Sequence, residues 1–302
     1  MNVLIPTFEQ FVQALTNAIA MGSLYALIAI GYTMVYGILR LINFAHGDIL
    51  MMSMYFAFYI VSLFRLPWYA AFILGTLGIG LLGMLIERAA YKPLRSAPRI
   101  SLLISAIGVS FLMENLATVV FSGIPKQFPS VPFFQEVLII GKVHLQRMTL
   151  IVPLITAVLV SGLLMLTKKT KIGMAMRAAS RDFTTARLMG INVNQIISFT
   201  FCIGSIMAAI GAMMWGLKYP KIEPYVGVMP GLKCFIAAVL GGIGNIGGAV
   251  VGALLLGLIE IMIVLFMPGL SGYKDAFAFV LLIIILLVRP TGLLGEKNID
   301  KV

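Results

Sequence analysis

The stretch FVQALTNAIAMGSLYALIAIGYTMVYGIL, from Phe11 to Leu39, contains no charged residue. A helix needs roughly 20 predominantly apolar residues to cross the hydrocarbon core of a bilayer. This stretch is longer than that, so it is predicted to cross a membrane with some tilt. The fold therefore follows from how many similar stretches the rest of the chain contains.

The composition of the whole chain agrees with a membrane protein. Of its 302 residues, 61% are hydrophobic and 11% are charged, and the mean hydropathy is +1.05. A water-soluble domain has about 25% charged residues, so this chain has too little charge to cover a water-facing surface. Continuous apolar runs, rather than short alternating ones, also exclude a β-barrel. The predicted fold class is an all-α polytopic membrane protein.

Three further features narrow the class. The net charge of +11 is expected from basic residues in cytoplasmic loops rather than from nucleic-acid binding. Cys202 and Cys234 lie in or beside apolar segments and form no CxxC pair, so neither a disulfide framework nor a zinc site is predicted. The N-terminal sequence MNVLIPTFEQ has no basic region, so we expect no cleavable signal peptide.

We predict about eight spans and one re-entrant segment broken by glycine, within a single transmembrane domain over residues 1–302. The re-entrant segment begins at Lys233, reverses at LGGIGNIGGAVVGA and returns to the side from which it entered. Irregular backbone at membrane depth is tolerated only inside protein or along a watery cavity, which makes this segment a candidate for a translocation path. The spans are predicted at Phe11–Leu39, Ile49–Phe64, Pro67–Ile86, Ile100–Phe121, Thr149–Leu166, Gln195–Leu217, about Gly248–Phe266 and Ala276–Val288.

The orientation follows from the charges of the loops. Glu87–Arg99 and Thr167–Asn194 are the most basic loops, and the positive-inside rule places both in the cytoplasm. An even number of spans separates them, which is consistent. Counting back three spans puts the N-terminus outside. The C-terminal tail is predicted to be cytoplasmic because it carries Arg289, Lys297 and Lys301.

The second basic loop contains KKTKIGMAMRAASRDFTTARLMGIN, Lys168–Asn192. Arg177, Arg181 and Arg187 would lie mostly off an apolar face of this helix. Such a helix suits a groove on a partner protein or anionic lipid headgroups; its small residues favour a protein, because lipid-binding faces use bulky side chains. Interpreted as one helix, the loop has a continuous stripe at alternating steps of four and three residues, formed by Ile172, Met176, Ala179, Phe183, Ala186 and Gly190.

Polar residues flank the start of the second span. A charged group at the bilayer centre costs about 2.5–3.5 kcal/mol on insertion scales, so such residues usually face a cavity or a partner. We interpret Asp48 as a cap that starts the second helix after a break at Gly47. For Asn43 and His46, both a role in the path and a structural role remain open.

Other polar residues interrupt later spans. Glu114 and Asn115 lie well inside the fourth span. A Glu there either pairs with a polar group on a neighbouring span or faces the path. Glu260 lies on the helix that returns after the glycine-rich reversal, where it either lines the path or pairs with Lys274 or Arg289.

The glycine-rich reversal is predicted to contain two kinds of position. Gly248 and Gly252 are spaced by four residues and are interpreted as packing positions that let helix backbones approach closely. Between Gly241 and Asn245, unwound backbone near the membrane centre would present amides and carbonyls. These groups suit the carboxylate and ammonium groups of a zwitterion, so Gly241, Gly242 and Asn245 are path candidates.

Several motifs carry a resemblance to a known family. They are Asn43-Phe-Ala-His-Gly-Asp48, Arg177-Ala-Ala-Ser-Arg-Asp182 followed by Leu188-Met-Gly-Ile-Asn192, Ala237-Ala-Val-Leu-Gly-Gly-Ile-Gly-Asn245 and Arg289-Pro-Thr-Gly-Leu293. Over nearly the whole chain the sequence resembles LivH-type permeases of branched-chain amino-acid ABC importers, and the second motif resembles their EAA loop.

The resemblance implies a subunit that is not itself an enzyme and that forms the path for leucine, isoleucine and valine across the bacterial inner membrane. The implied partners are two ABC ATPase subunits, a second LivM-type permease subunit and a periplasmic or lipid-anchored binding protein. ATP-Mg would be bound by the ATPases, so no cofactor is expected on this chain.

The resemblance also implies that residues 167–194 form a coupling loop that binds in a cleft of the ATPase. Neither catalytic residues nor metal ligands are expected. The coupling residues would be Ile172, Met176, Arg177, Ala179, Arg181, Asp182, Phe183, Ala186 and Gly190. The expected path residues are Asn43, His46, Glu114, Asn115, Gly241, Gly242, Asn245 and Glu260.

Two alternatives stay open. A urea or short-amide permease of the same family needs only neutral donors and acceptors, whereas a zwitterion needs partners for both charges. A self-sufficient secondary transporter belongs to another class and often shows paired broken helices, but only one strongly glycine-broken segment is visible in this sequence. The sequence has no Walker motif, so ATP chemistry must come from a partner, and it lacks HExxH and GxSxG, which disfavours an intramembrane enzyme.

Overall fold

The computed structural model describes residues 6–95 and 97–295. Its α-helices are α1 Phe8–Leu39, α2 His46–Ser62, α3 Trp68–Ile86, α4 Arg99–Phe121, α5 Pro132–Gln135, α6 Arg147–Lys169, α7 Lys171–Arg181, α8 Phe183–Leu188, α9 Val193–Lys218, α10 Val228–Gly241, α11 Ile246–Phe266 and α12 Lys274–Val288. A π-helical turn, Glu87–Tyr91, extends α3, and a 3-10 turn, Pro268–Tyr273, precedes α12. The strands are β1 Lys126–Gln127, β2 Val137–Ile140, β3 Val143–Gln146 and β4 Lys221–Ile222.

Seven of these helical segments are long and apolar enough to cross a bilayer: α1, α3 with its π-helical turn, α4, α6, α9, α11, and α12 with its 3-10 turn. Two further helices of the bundle, α2 and α10, are shorter, with 17 and 14 residues. The all-α polytopic membrane fold predicted from the sequence is therefore confirmed.

Helix α1 is the central helix of the bundle. Its residues from Leu24 to Ile30 have no exposed surface, and it packs against α6, α9, α10 and α11. A helix that is apolar around its whole circumference is stable only when it is surrounded by other apolar groups. The charge-free stretch that begins at Phe11 is thus enclosed by protein rather than by lipid.

The polar segment between α4 and α6 forms a small cap at one end of the bundle. Strands β2 and β3 make an antiparallel hairpin in which Ile139 lies opposite His144. Strand β1 pairs with β4, the strand that follows α9. The cap therefore ties the ends of α4 and α9 together.

Helix α2 starts inside the bundle rather than at its surface. After α1 ends, Arg40 adopts a left-handed conformation (φ 55°) and the chain turns back. The Nε2 atom of His46 then lies 3.2 Å from the carbonyl oxygen of Ile28. Ile28 precedes Leu39 by eleven residues, which corresponds to about 16 Å along a helix. Helix α2 therefore begins near the middle of the membrane, at His46 instead of the predicted Ile49.

Helices α10 and α11 form the predicted re-entrant hairpin. The returning helix starts at Ile246, slightly before the predicted Gly248. A Cβ atom added at Gly248 would overlap the carbonyl oxygen of Gly241, and one at Gly252 would overlap that of Ala237. The prediction that Gly248 and Gly252 serve close helix packing is confirmed.

The reversal was predicted near the membrane centre, and this predicted depth is wrong. The backbone N–H of Leu293, after α12, donates to the carbonyl of Leu240 (2.9 Å). On the other side, Gly244 approaches Gly37 near the end of α1. The turn thus lies level with the ends of α1 and α12, at the edge of the bundle. The reason is that α10 begins at mid-depth, so its 14 residues carry the chain to the edge before it turns.

The basic loop forms two helices rather than one continuous helix, so the predicted uninterrupted stripe is wrong. Asp182 has an extended conformation (φ −160°, ψ 121°) between α7 and α8. Its carboxylate accepts hydrogen bonds from the backbone N–H groups of Thr184 (2.8 Å) and Thr185 (3.3 Å). The hydrogen bonds from the Thr185 hydroxyl and from these amides lower the pKa of Asp182. Aspartate is a preferred N-cap, and here it starts a new helix.

Candidate functional site

The N-terminal ends of α2 and α10 meet beside a cavity of about 190 Å³. Helices α1, α2, α4 and α10 form its walls, and the Phe44 side chain lies at the end of the segment that returns to α2. The cavity is at mid-depth because α2 starts there. It is lined by Tyr32, Phe44, Gly47, Asp48, Ile107, Ser110, Phe111, Glu114, Val228, Gly231, Leu232 and Phe235.

Glycines allow the two helix ends to meet. A Cβ atom added at Gly227 would overlap the carbonyl oxygen of Gly47, and one at Gly231 would lie 2.8 Å from the Gly47 Cα. Gly227 has a negative φ of −79°, so space rather than backbone conformation requires glycine there. The first turn of a helix carries the positive end of its dipole. Two such ends therefore face one cavity at membrane depth.

Asp48 lies in the cavity wall. Its carboxylate accepts a hydrogen bond from the Ser110 hydroxyl of α4, and the Oγ–Oδ2 distance is 2.5 Å. No side-chain hydrogen bond caps the start of α2, so the interpretation of Asp48 as a helix cap is wrong. The reason is that the backbone N–H of Asp48 already donates to the Ala45 carbonyl (3.2 Å), while Ser110 supplies the donor that the carboxylate needs.

Glu114 lies one helical turn beyond Ser110 on α4 and lines the same cavity. It is only 7% exposed, yet its carboxylate has no hydrogen-bond or ion-pair partner among the described residues. Of the two alternatives open from the sequence, the geometry therefore favours a side chain that faces the path over one that pairs with a neighbouring span.

Asn43 and His46 are buried behind the cavity rather than in its lining. Asn43 accepts a hydrogen bond from the Tyr91 hydroxyl (2.6 Å). The His46 ring packs edge-on against Tyr32, with 4.5 Å between ring centroids. These contacts hold the returning segment against α1 and the π-helical turn, which is a structural role.

The structure does not bring four other path candidates to the cavity. Asn115 is exposed on the outer side of α4, and its side-chain amide donates to the Phe111 carbonyl (2.7 Å). Asn245 caps α11 by accepting from the Gly248 N–H (3.1 Å), and its amide donates to the Leu294 carbonyl (2.9 Å). Gly241 and Gly242 lie in the same turn at the edge of the bundle. These four residues lie away from this cavity, and their role in the path stays a prediction.

Glu260 belongs to a buried ion network next to the cavity. Its carboxylate accepts from the Tyr25 hydroxyl (2.6 Å) and pairs with Lys233 (3.0 Å) and Lys274 (3.2 Å). Lys233 also pairs with Asp275 (2.5 Å). Of the alternatives left open by the sequence for Glu260, the structure shows the pairing with Lys274, and a role of Glu260 in the path stays a prediction. The partnership with Lys233 was missed, although a lysine inside an apolar run is itself a signal that it has an acidic partner.

The coupling loop turns its small-residue face inward. Met176, Ala179 and Ala186 are buried against the helices of this chain, so they are not available for direct contact with a partner. The reason is that α7 folds back beneath α1, α6 and α9. The outer surface instead exposes Leu188 (83%) and Met189 (78%), which the stripe analysis missed because they follow the break at Asp182.

The other predicted coupling residues lie on or near this outer surface. Ile172 and Gly190 are exposed, and Phe183 is half-buried. Arg177 is exposed and donates to the Thr167 carbonyl. Arg181 and the capping residue Asp182 are exposed as well. Their role in coupling stays a prediction.

A buried ion pair after α3 contacts the start of α9, where the coupling loop ends. Glu87, which is fully buried, pairs with Arg95 and accepts from the Ser198 hydroxyl of α9 (2.5 Å). Arg95 also donates to the Asn194 side chain (2.6 Å). Burial lowers the pKa of Arg95, and the neighbouring Glu87 carboxylate opposes this shift. The sequence predicted only a basic cytoplasmic loop at Glu87–Arg99 and did not indicate this ion pair.

Within residues 6–95 and 97–295, no group of three or more His, Cys, Asp or Glu side chains is arranged to hold a metal ion. Cys202 and Cys234 are both free thiols. The charged and polar side chains at mid-depth are thus arranged as a lined cavity with an ion network beside it.

Comparisons with known proteins show the family of this chain. The family model for the permease component of branched-chain amino acid transport systems matches residues 14–286. BraD of Pseudomonas aeruginosa, a high-affinity branched-chain amino acid transport system permease protein, is 41% identical over 98% of this chain and 100% of its own length. LivH of Escherichia coli and LivH of Salmonella typhimurium, which bear the same description, are each 39% identical over 98% of this chain and 99% of theirs. The chain therefore belongs to the family of branched-chain amino acid transport system permease components.

Proposed function

We propose that this chain is the membrane-spanning permease subunit of a binding-protein-dependent ABC importer and forms the translocation path for leucine, isoleucine and valine. Membership of the permease family and the descriptions of its full-length relatives support the class and the substrate. The cavity at the meeting point of α2 and α10 is the observation that supports a path, because polar side chains at membrane depth normally face a cavity or a partner.

The proposal includes the assembly. Two ABC ATPase subunits bind and hydrolyse ATP-Mg, a second LivM-type permease subunit completes the membrane part, and a periplasmic or lipid-anchored protein delivers the amino acid. This chain is not an enzyme and binds no cofactor of its own. It lies in the bacterial inner membrane as one transmembrane domain, with the N-terminus outside and the C-terminus in the cytoplasm. Lys297 and Lys301, on which the orientation partly depends, lie outside the described residues.

Coupling to the ATPase is assigned to residues 167–194, with a revised contact surface. Leu188 and Met189 are large apolar side chains exposed at the membrane end from which α9 starts. The arginines Arg177, Arg181 and Arg187 lie nearby along the loop. Apolar anchors surrounded by charged residues are typical of protein interfaces. Docking through this outer surface leaves the small residues to support it from beneath.

The substrate assignment is tested by uptake. A bacterial strain that lacks its own branched-chain amino acid importers would express this chain together with its neighbouring genes. We expect ATP-dependent uptake of radiolabelled leucine, isoleucine and valine, and no uptake of radiolabelled urea. Urea uptake without leucine uptake would replace the substrate class by the alternative of the same family. Leucine uptake that persists after inactivation of the ATPase would favour a secondary transporter.

The docking surface is tested by Leu188→Glu. A carboxylate in the centre of an apolar contact must be desolvated without a partner, which costs several kcal/mol. We therefore expect the ATPase to be lost when this chain is purified through an affinity tag, and uptake to fall by at least about tenfold, since 1.4 kcal/mol corresponds to tenfold. The level of the permease in the membrane should stay unchanged, because Leu188 is 83% exposed.

The matched control is Ile139→Glu, which places the same carboxylate at an exposed aliphatic position in the β2–β3 hairpin, at the other end of the bundle. It should leave the ATPase bound. Wild-type recovery of the ATPase with Leu188→Glu would show that this surface is not the docking site.

A further inference from the structure

We propose that the cavity between α2, α4 and α10 binds the transported amino acid as a zwitterion, with its ammonium group between the carboxylates of Asp48 and Glu114 and its carboxylate at the N-terminal end of α10. This inference rests on the proposed function and specifies where and how the substrate is recognised within the membrane.

The ammonium end is argued from the charges in the cavity. Asp48 and Glu114 are acidic, and the described residues that line the cavity include neither Lys, Arg nor His. Asp48 is held in place by Ser110, whereas Glu114 is 7% exposed and its carboxylate has no hydrogen-bond or ion-pair partner within the part of the chain that the structure describes. A carboxylate in that position is costly unless a cation or a donor reaches it. A primary ammonium group supplies three donors and one positive charge, which matches two carboxylates that face one space.

The carboxylate end is argued from the broken helices. The first turns of α2 and α10 meet at Gly47 and Gly227, and Val228 at the start of α10 lines the cavity. Helix N-terminal ends at membrane depth stabilise anionic groups of a substrate. The end of α2 already carries an acidic residue, Asp48, in its first turn. The end of α10 has no acidic residue in its first turn. There the Val228 N–H already donates to the Tyr225 carbonyl (3.2 Å) and Pro230 has no N–H, so this end offers the substrate carboxylate the Met229 N–H and the positive end of the helix dipole.

The remaining lining suits an aliphatic side chain. Ile107 and Leu232, with three phenylalanines at positions 44, 111 and 235, form an apolar wall between the two polar ends. Apolar walls with a few convergent polar groups are typical of small-molecule sites. A branched aliphatic side chain gains from burial there, whereas a charged side chain would find no opposite charge beyond the pair that holds the ammonium group.

The test measures direct binding to the complete importer, purified with its ATPase and second permease but without the binding protein. Saturation-transfer NMR detects weak binding of three probes: leucine, 3-methylbutylamine, which lacks the carboxylate, and 4-methylpentanoate, which lacks the ammonium group. We expect wild-type complex to bind leucine most tightly. 4-Methylpentanoate should bind at least about tenfold more weakly, because it loses the charge-assisted hydrogen bonds that the ammonium group makes to the two carboxylates.

Two variants locate the site. Glu114→Gln and Asp48→Asn keep the size of the side chain, and each should weaken leucine binding by about tenfold or more. Recovery of the partner chains with each variant checks assembly. The control Glu223→Gln removes a carboxylate that pairs with Lys221 outside the cavity, and it should bind leucine like wild type. Equal leucine binding by wild type and by both cavity variants would overturn the proposal, as would 4-methylpentanoate binding as tightly as leucine.

The two proposals fail in distinguishable ways. Wild-type uptake and binding of leucine by Glu114→Gln and Asp48→Asn would remove the zwitterion site and leave the importer assignment intact. Uptake of a different amino acid instead of leucine, with the same dependence on Glu114, would retain the site and change the substrate. If the protein took up and bound urea, and neither variant altered this, both the substrate assignment and the zwitterion site would be contradicted.

Discussion

Gly227→Ala is expected to abolish leucine uptake and to destabilise the assembled permease. The added Cβ would overlap the carbonyl oxygen of Gly47, and backbone cannot move aside as a flexible side chain can. Overpacking in a core costs about 1–3 kcal/mol and occasionally more, and this clash falls at the upper end. Helix α10 must shift away from α2, which opens the wall of the cavity.

The measurements are the melting temperature of the purified complex and the initial rate of leucine uptake. We expect uptake to fall by at least about tenfold, because relieving the overlap moves the first turn of α10, where Val228 lines the cavity, and overpacking of about 1.4 kcal/mol or more corresponds to about tenfold. The φ of Gly227 is accessible to alanine, so backbone strain does not contribute.

The matched control is Gly162→Ala in α6. A Cβ atom there would have nothing within 4 Å, and alanine is favoured over glycine inside a helix by about 1 kcal/mol. This variant should be as stable as wild type or more so, with full uptake. If Gly227→Ala behaved in the same way, the contact between the ends of α2 and α10 would not be the feature that shapes the cavity.

Arg95→Met is expected to produce the second large effect. Glu87 is fully buried, and without Arg95 its carboxylate retains, among the described residues, the Ser198 hydroxyl as its partner. Removing one partner of a buried ion pair costs about 3–5 kcal/mol. The loss should appear as a lower melting temperature and a lower yield of the complex with its ATPase, because Arg95 also holds Asn194 at the start of α9.

The double variant Arg95→Met/Glu87→Gln provides the control. With the charge of Glu87 removed, most of the lost stability should return, because no uncompensated buried charge remains. Equal stability of the single and double variants would contradict the assignment. If the double variant recovers stability but not uptake, the ion pair also serves the connection between the coupling loop and the membrane helices.

Much of this protein follows from its sequence alone. A span must be apolar along about 20 residues, so the run from Phe11 to Leu39 and the similar runs after it determine an all-α membrane fold. The length of the apolar run from Lys233 to Phe266, its helix-breaking glycines and the side on which it must end likewise predicted the α10–α11 hairpin. The motifs around Asn43, Arg177, Ala237 and Arg289 led to the correct family, because they are local in the chain.

The tertiary structure decided which residues meet. Composition shows that Asp48 and Glu114 are unusual in apolar surroundings, but not that α2 starts at mid-depth and brings Asp48 to Ser110 on α4. The spacing of small residues predicts a stripe that includes Ala179, but not that this stripe packs against other helices of the same chain. Apolar periodicity reports that a face is buried, not what buries it. The depth of a helix end and the partner of a buried charge depend on contacts between residues far apart in the chain, which only the folded bundle specifies.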